Sequence, residues 1–174
     1  MTTLGSLLVQ NRIVGVVDIE KALQRQVIAG GDPATVMLEL KLVEENTLTK
    51  YAAEALGMTS LERAFIDTPN ESVVKKMSRS VAEKYRVVPV RIDGDKIILA
   101  ASSPVDFQVI SELESILGKE VSPRFVLEFR LEMLLNRCFG ISMSKRFIKL
   151  KDRLAPNFTV DAPPIVTSSE KLHA

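Results

Sequence analysis

Val87-Val88-Pro89-Val90, then Asp93-Gly94-Asp95, then Lys96-Ile97-Ile98-Leu99-Ala100-Ala101: this stretch sets the fold. The two flanking runs are apolar and rich in β-branched residues, which suits a pleated, buried surface, and Asp-Gly between them is a tight-turn signal. They read as an antiparallel hairpin. Pro89 carries no amide proton, so its strand is an edge strand or contains a bulge. Downstream, Ser103-Pro104-Val105-Asp106 opens a helix to about Leu117, Gly118 closes it, and Val121 to Val126 forms a third strand. Leu127 to Phe139 is a final helix whose Phe129, Met133, Leu134 and Arg137 are spaced to cover the sheet.

Upstream, Thr59 to Pro69 reads as a connector, and Asn70 to Tyr85 as one helix with Val73, Val74, Met77 and Val81 inward. The first segment, about Thr3 to Gly57, is helical. Leu4, Leu7 and Leu8 recur at helical spacing. Asp18 is a possible N-cap for a helix that turns Ile19, Ala22, Leu23 and Gln26 to one face. Asp32 and Pro33 supply a cap and a first helical position for another short helix through Leu40, and Gly57 ends the helix that contains Tyr51 to Leu56. The halves superpose as Ile13-Val14 on Leu42-Val43, Ile19 on Leu48, and Ala22-Leu23 on Tyr51-Ala52. Two copies of ordinary apolar residues fit a duplication and a generic pair of helical hairpins equally well.

The expected organisation is therefore α+β: a helical subdomain over 1–58, a connector over 59–69, a small α/β subdomain over 70–140, and an amphipathic extension with a flexible tail over 141–174. In that extension Ser144 to Arg153 is basic and amphipathic, and reads as a solvated helix end. From Ala155 the Pro, Ser and Thr content predicts a flexible linker.

Composition narrows the chemistry. The 174 residues are 46% hydrophobic and 26% charged with a formal net charge of +1, so no global attraction to nucleic acid or anionic lipid is expected. One Cys and one His leave too few ligands for a Cys/His zinc site, and no disulfide framework is available. Cys138 lies in an apolar stretch and reads as a small buried hydrophobe. His173, at the end of the tail, is a poor place for a catalytic base. No apolar run approaches a membrane span and the start lacks a signal-peptide layout, which points to a cytoplasmic protein without direct membrane insertion. Asn157-Phe158-Thr159 is a glycosylation sequon that such a protein would not present.

Gly-x-x-x-x-Gly-Lys-Ser/Thr and Gly-x-Gly-x-x-Gly are both absent, so neither phosphate cradle of a nucleotide enzyme is present. The carboxylate pairs Glu44-Glu45, Asp93/Asp95 and Glu112/Glu114 fall on expected turns and solvated faces, unsuited to acid-base work that needs sequestered groups. No enzyme, cofactor or metal site is expected.

The run Ser80-Val81-Ala82-Glu83-Lys84-Tyr85-Arg86-Val87-Val88-Pro89-Val90, continued through Leu99-Ala100 to Ser103-Pro104-Val105-Asp106, resembles the N-terminal domain of type II secretion and type IV pilus assembly ATPases. The family phrase is Ala-x-x-Tyr-x-hydrophobic-hydrophobic-Pro, followed by a Leu-Ala strand and a Pro-x-Asp helix start. Leu4-Gly5-Ser6-Leu7-Leu8-Val9 through Ile19, Leu23 and Gln26 is similar to the first half of a tandem helical motif in the same family. The resemblance covers about residues 3 to 140.

That resemblance implies a non-enzymatic protein-interaction domain that docks to an inner-membrane platform component of a secretion or pilus machine. The motor's phosphate-cradling motif does not occur, so the chain reads as a stand-alone adaptor or as the docking portion without its motor. The exposed side of the first helical pair and the edge strand bearing Pro89 are the expected docking surfaces. The alternative is a cyclic di-GMP sensor, since part of the family binds that dinucleotide through halves beginning Arg-Leu-Gly-x-x-Leu, with a later Gly and a closing Gln. Leu4, Gly5, Leu8, Ile19, Leu23 and Gln26 match, and Arg12 or Lys41 is a substitute source of charge; Leu4, Gly5, Leu8, Arg12 and Gln26 are the residues such binding would use. Thr3 stands where the Arg belongs and Arg12 where the later Gly belongs. In the second half Pro33-Ala34 replaces Leu-Gly, Lys41 replaces the later Gly and Ala55 replaces the Gln. A missing guanidinium and bulky groups in place of glycines disfavour the ligand.

Overall fold

The computed structural model describes residues 2–167. The chain divides into two compact units, Met1–Ser60 and Leu61–Ala174, and the class is α+β.

The first unit contains α1 (Leu4–Gln10), α2 (Val16–Ala29), α3 (Pro33–Glu39) and α4 (Glu45–Ala55). Its two halves are built alike. Thr3 Oγ1 accepts the Ser6 amide at 3.1 Å to cap α1, and Asp32 Oδ1 accepts the Thr35 amide at 3.1 Å to cap α3. Each short helix ends in the same turn. The Arg12 amide donates to Val9 O and that of Ile13 to Leu8 O, while the Lys41 amide donates to Leu38 O and that of Leu42 to Met37 O, at 2.9 to 3.0 Å. Arg12 and Lys41 both take a left-handed φ of 58°, a conformation that usually selects glycine. The matching caps, helices and turns favour duplication over a generic pair of hairpins.

The halves interlock, α1 packing on α4 and on α3, and α2 packing on α3. Leu8, Val36 and Leu48 are fully buried between them, each such side chain contributing roughly 1.5–3 kcal/mol. Two expectations are corrected. Helix α2 starts at Val16 after Gly15, and Asp18 sits a turn inside, its Oδ2 accepting the Gly15 amide at 3.2 Å; a carboxylate there also suits the positive end of the helix. Leu23 is exposed, because only Ala22, with Ile19 and Gln26 half-buried, turns toward the other helices.

In the second unit a three-stranded sheet runs in the order β1 (Val88–Asp93), β2 (Lys96–Ala101), β3 (Glu120–Phe125). Strands β1 and β2 form the expected hairpin, and β3 lies parallel to β2 after the crossover helix α8 (Phe107–Leu117). Pro89 sits in an edge strand at a bulge before Arg91, so its missing amide interrupts no central ladder. Around the sheet lie α5 (Arg63–Asp67), α6 (Glu71–Val74), α7 (Arg79–Tyr85), α9 (Glu128–Phe139) and α10 (Lys145–Leu154).

The helix expected over Asn70 to Tyr85 is two helices. Asn70 caps α6 and Ser78 caps α7, each side-chain oxygen taking an amide of its own first turn, and Met77 is buried between them. Ala82 rather than Val81 is fully buried. The expected connector contains α5, whose Arg63 and Asp67 pair at 3.3 Å across one turn. Helix α8 begins at Phe107, with Asp106 as its cap.

The predicted flexible tail is also corrected over its described part. The amide of Ile165 donates to Arg137 O at 3.2 Å and that of Val166 to Cys138 O at 2.8 Å. Asn136 Nδ2 donates to Asp161 Oδ1 at 2.8 Å and its Oδ1 accepts the Asp161 amide at 3.0 Å. Residues 155–167 thus form a strap along α9. With the sheet on one side and strap and α10 on another, α9 is buried nearly all round, including Arg130, Glu132 and Asn136. The expectation for His173 lies outside the described residues.

Candidate functional site

Four of the five residues predicted for a dinucleotide site have structural roles in the helical unit. Leu4 and Leu8 face inward from α1 and are core residues, Leu8 without any exposure. Gly5 faces α2, where a Cβ would come into van der Waals contact with Ile19, 3.4 Å from its Cγ2. Gln26 Nε2 donates to Gly31 O at 2.9 Å, which ties the end of α2 to the following turn. Arg12 is exposed in its left-handed turn. Thr3, at the position of the motif Arg, caps α1. The structure therefore brings Leu4, Gly5 and Leu8 together on α1, with Gly5 against α2.

The outer surface of the same unit carries a feature that sequence reading missed. Val16, Val17, Leu23, Val27 and Ile28 of α2 are all exposed, Val27 at 88% and Ile28 at 81%. At the equivalent places of α4 and the turn after it stand Glu45, Asn46, Ala52, Leu56 and Gly57, of which Ala52 is buried and only Leu56 is a large exposed apolar residue. Val16, Leu23 and Val27 fall on one stripe beside the core-facing Ile19, Ala22 and Gln26. The signal was present as Val16-Val17 and Val27-Ile28, two apolar pairs at the ends of a polar helix.

In the second unit, Glu128 at the start of α9 binds the Arg86 guanidinium and the Ser102 hydroxyl, while the Tyr85 hydroxyl donates to Glu112. These contacts tie α7 and the end of β2 to α9, and α7 to α8. Burial raises the Glu132 carboxyl above its ordinary range; nearby Arg86 opposes the rise and Glu128 adds to it. Cys138 is fully buried and its thiol is pushed up to about 12 by desolvation, which makes it a core residue and a poor nucleophile. The edge strand proposed as a docking surface is covered. Val88, Pro89 and Val90 are buried, the Val90 carbonyl accepts the Asn70 amide at 2.8 Å, and α5 and α6 pack on β1. Among the described residues no group of three or more His, Cys, Asp or Glu is placed to hold a metal ion, and no helix is long and apolar enough to cross a membrane.

Residues 60–145, which include the hairpin, the crossover and α9, match the family model of the MshEN domain. This stretch resembles an MshEN domain. The chain is 28% identical over 137 residues to the type IV pilus assembly ATPase PilB of Myxococcus xanthus, covering 79% of this chain and 24% of PilB. It is 27% identical over 130 residues to bacteriophage adsorption protein B of Escherichia coli, covering 73% of this chain and 16% of that protein. It thus spans a quarter or less of these relatives. Its fold is similar to that in a structure of MshE with cdg (TM-score 0.58, 22% identity, 79% of this chain and 99% of that one). It is similar also to the N-terminal domain of XpsE (TM-score 0.52, 23% identity, 80% and 95%). The similarity is to the N-terminal domain of such ATPases and not to their ATPase domain, in accord with the resemblance read from Ser80 to Asp106. The MshEN match ends at residue 145, so most of α10 and the strap lie beyond it.

Proposed function

We propose that this chain is a non-enzymatic docking module of a secretion or pilus assembly machine, acting on the cytoplasmic side and binding an apolar helix of an inner-membrane platform component through the outer face of α2. The observation that carries this reading is the exposed stripe of Val16, Leu23 and Val27, extended by Val17 and Ile28. Helix α4, its internal counterpart, has polar or small residues at most of those places and is shorter, so the packing that the two halves share does not account for the apolar face. Side chains of this kind gain affinity when covered by a complementary apolar helix.

The test is capture of the cytoplasmic domain of the platform protein from the same genome, with Val27→Glu/Ile28→Lys as the variant. Both side chains are exposed, so the thermal midpoint should stay unchanged while capture weakens by about tenfold or more, as loss of an apolar anchor does. Equal capture by the variant overturns the α2 assignment.

The second reading, cyclic di-GMP sensing, draws support from the similarity to MshE, solved with cdg. Against it, Thr3 is engaged as a cap and Gln26 as a tie to Gly31. Calorimetric titration with cyclic di-GMP separates the readings. Saturable micromolar binding that is lost in Arg12→Ala would replace the docking reading. Leu8 is unsuitable for this test, since a polar group at a fully buried site unfolds the unit.

A further inference from the structure

The strap lines one side of a partly open cavity of about 670 Å³ within the second unit. Met133 and Leu134 of α9 and Phe158 of the strap line it together with Arg63, Arg130 and Arg137. The size lies within the range of small-molecule pockets. Among the described residues, two carboxylates, Asp67 and Glu71, line it beside these three guanidiniums.

The arginines are placed rather than merely near. Arg63 Nε pairs with Asp67 at 3.3 Å. The Arg130 guanidinium stacks over the Phe129 ring at 4.7 Å, and the residue is 3% exposed. Arg137 donates from Nη1 to the backbone carbonyl of Asp67, so this anchoring contact brings a partial and not a full negative charge. Planar guanidiniums beside apolar side chains match a carboxylate or phosphate attached to an apolar or planar body.

The strap supplies much of the lining, from Leu154 to Ile165. Its attachments flank the cavity: Asp161 on Asn136, and Ile165 and Val166 on the carbonyls of Arg137 and Cys138. A ligand in the cavity therefore touches both strap and α9, and it stabilises the closed arrangement by mass action.

We propose that this cavity is a binding site for a small organic anion, and that its occupancy fastens the strap to α9. The inference is independent of the α2 docking reading, because it concerns a different unit and a different ligand.

The test titrates the full chain with four probes and reads amide and arginine Nε–H signals by nuclear magnetic resonance, with hydrogen exchange at Ile165 and Val166. Phenyl phosphate and phenylacetate carry charge on a planar body, one through phosphate and one through carboxylate. Inorganic phosphate carries charge alone, and benzyl alcohol the body alone. Saturable shifts at Arg137, Met133 and Phe158 are expected with one or both aromatic anions, and which one saturates at lower concentration distinguishes the phosphate source from the carboxylate source. Exchange at Ile165 and Val166 should slow in parallel. Arg137→Met should weaken the binding by about tenfold, and Arg137→Lys should recover part of it. If Arg137→Met loosens the strap without ligand, binding by Arg130→Lys provides the second measure, with weakening expected there also. Equal shifts with benzyl alcohol, shifts spread over exposed lysines with inorganic phosphate, or no saturable shift with either aromatic anion overturns the proposal.

Discussion

Arg12 and Lys41 occupy equivalent turns of the two helical pairs with the same left-handed φ of 58°. The interval between them is the interval from Thr3 to Asp32 and from Gly15 to Glu44, the caps of the paired helices. A residue with a Cβ is strained in this conformation by roughly 1–2 kcal/mol, whereas glycine's extra freedom in the unfolded chain costs about 0.5–1 kcal/mol. Arg12→Gly and Lys41→Gly should each stabilise the first unit by the balance, about 0.5 kcal/mol. Urea unfolding followed by helical signal measures it. Destabilisation by either variant would show that the side chain makes a contact that outweighs the backbone strain.

Asn136 is buried in α9, where its amide serves Ile141 O at 2.9 Å and both the carboxylate and the amide of Asp161. Each hydrogen bond contributes roughly 0.5–1.5 kcal/mol, and unpaired buried partners add to the loss. Asn136→Ala should destabilise the second unit by about 2–4 kcal/mol, and hydrogen exchange at Ile165 and Val166 should accelerate more than exchange in β2. Uniform acceleration across the unit would mean that the strap has no opening of its own.

Glu132 carries a carboxyl raised above its ordinary 4.5 by burial on α9. The folded protein then holds this proton more tightly than the unfolded chain. The associated stability is full below pH 4.5 and is lost as pH rises through the higher folded value. Glu132→Gln has no such titration, so stability of the parent relative to the variant should fall between about pH 4 and about pH 8. Urea midpoints at both values test it, and parallel curves for the two proteins would contradict it.

Cys138 has no exposure and a thiol pushed up to about 12. An aromatic disulfide reagent at about pH 8 should leave the folded protein unmodified and label it at the rate of unfolding. Fast stoichiometric labelling without denaturant would require that α9 opens locally.

The hairpin, the helix before the third strand and the Asp32 cap were legible in the sequence because each rests on local chemistry. Asp93-Gly94 favours a tight turn, Gly118 accepts a left-handed φ, and Asp32 caps through its own side chain. Pro89 announced an edge or a bulge because it lacks a donor, and both occur. The resemblance to secretion and pilus ATPase N-terminal domains was likewise legible, since it follows strand, turn, strand and cap in order.

Other features depend on partners distant along the chain. Asn70 to Tyr85 has the periodicity of one helix, but Asn70 and Ser78 each start a separate one, and burial of Met77 fixes the break. Nothing local in Ala155 to Thr167 distinguishes a linker from a strap; what orders it is the amide of Asn136 and the carbonyls of Arg137 and Cys138. The helical pattern of α2 also showed which residues repeat, but not that Leu23 faces outward. By itself the sequence determined the turns, several of the caps and the apolar β-branched runs, whose energies are settled within a few residues. Tertiary structure decided which apolar faces are covered, because burial depends on what another part of the chain brings against them.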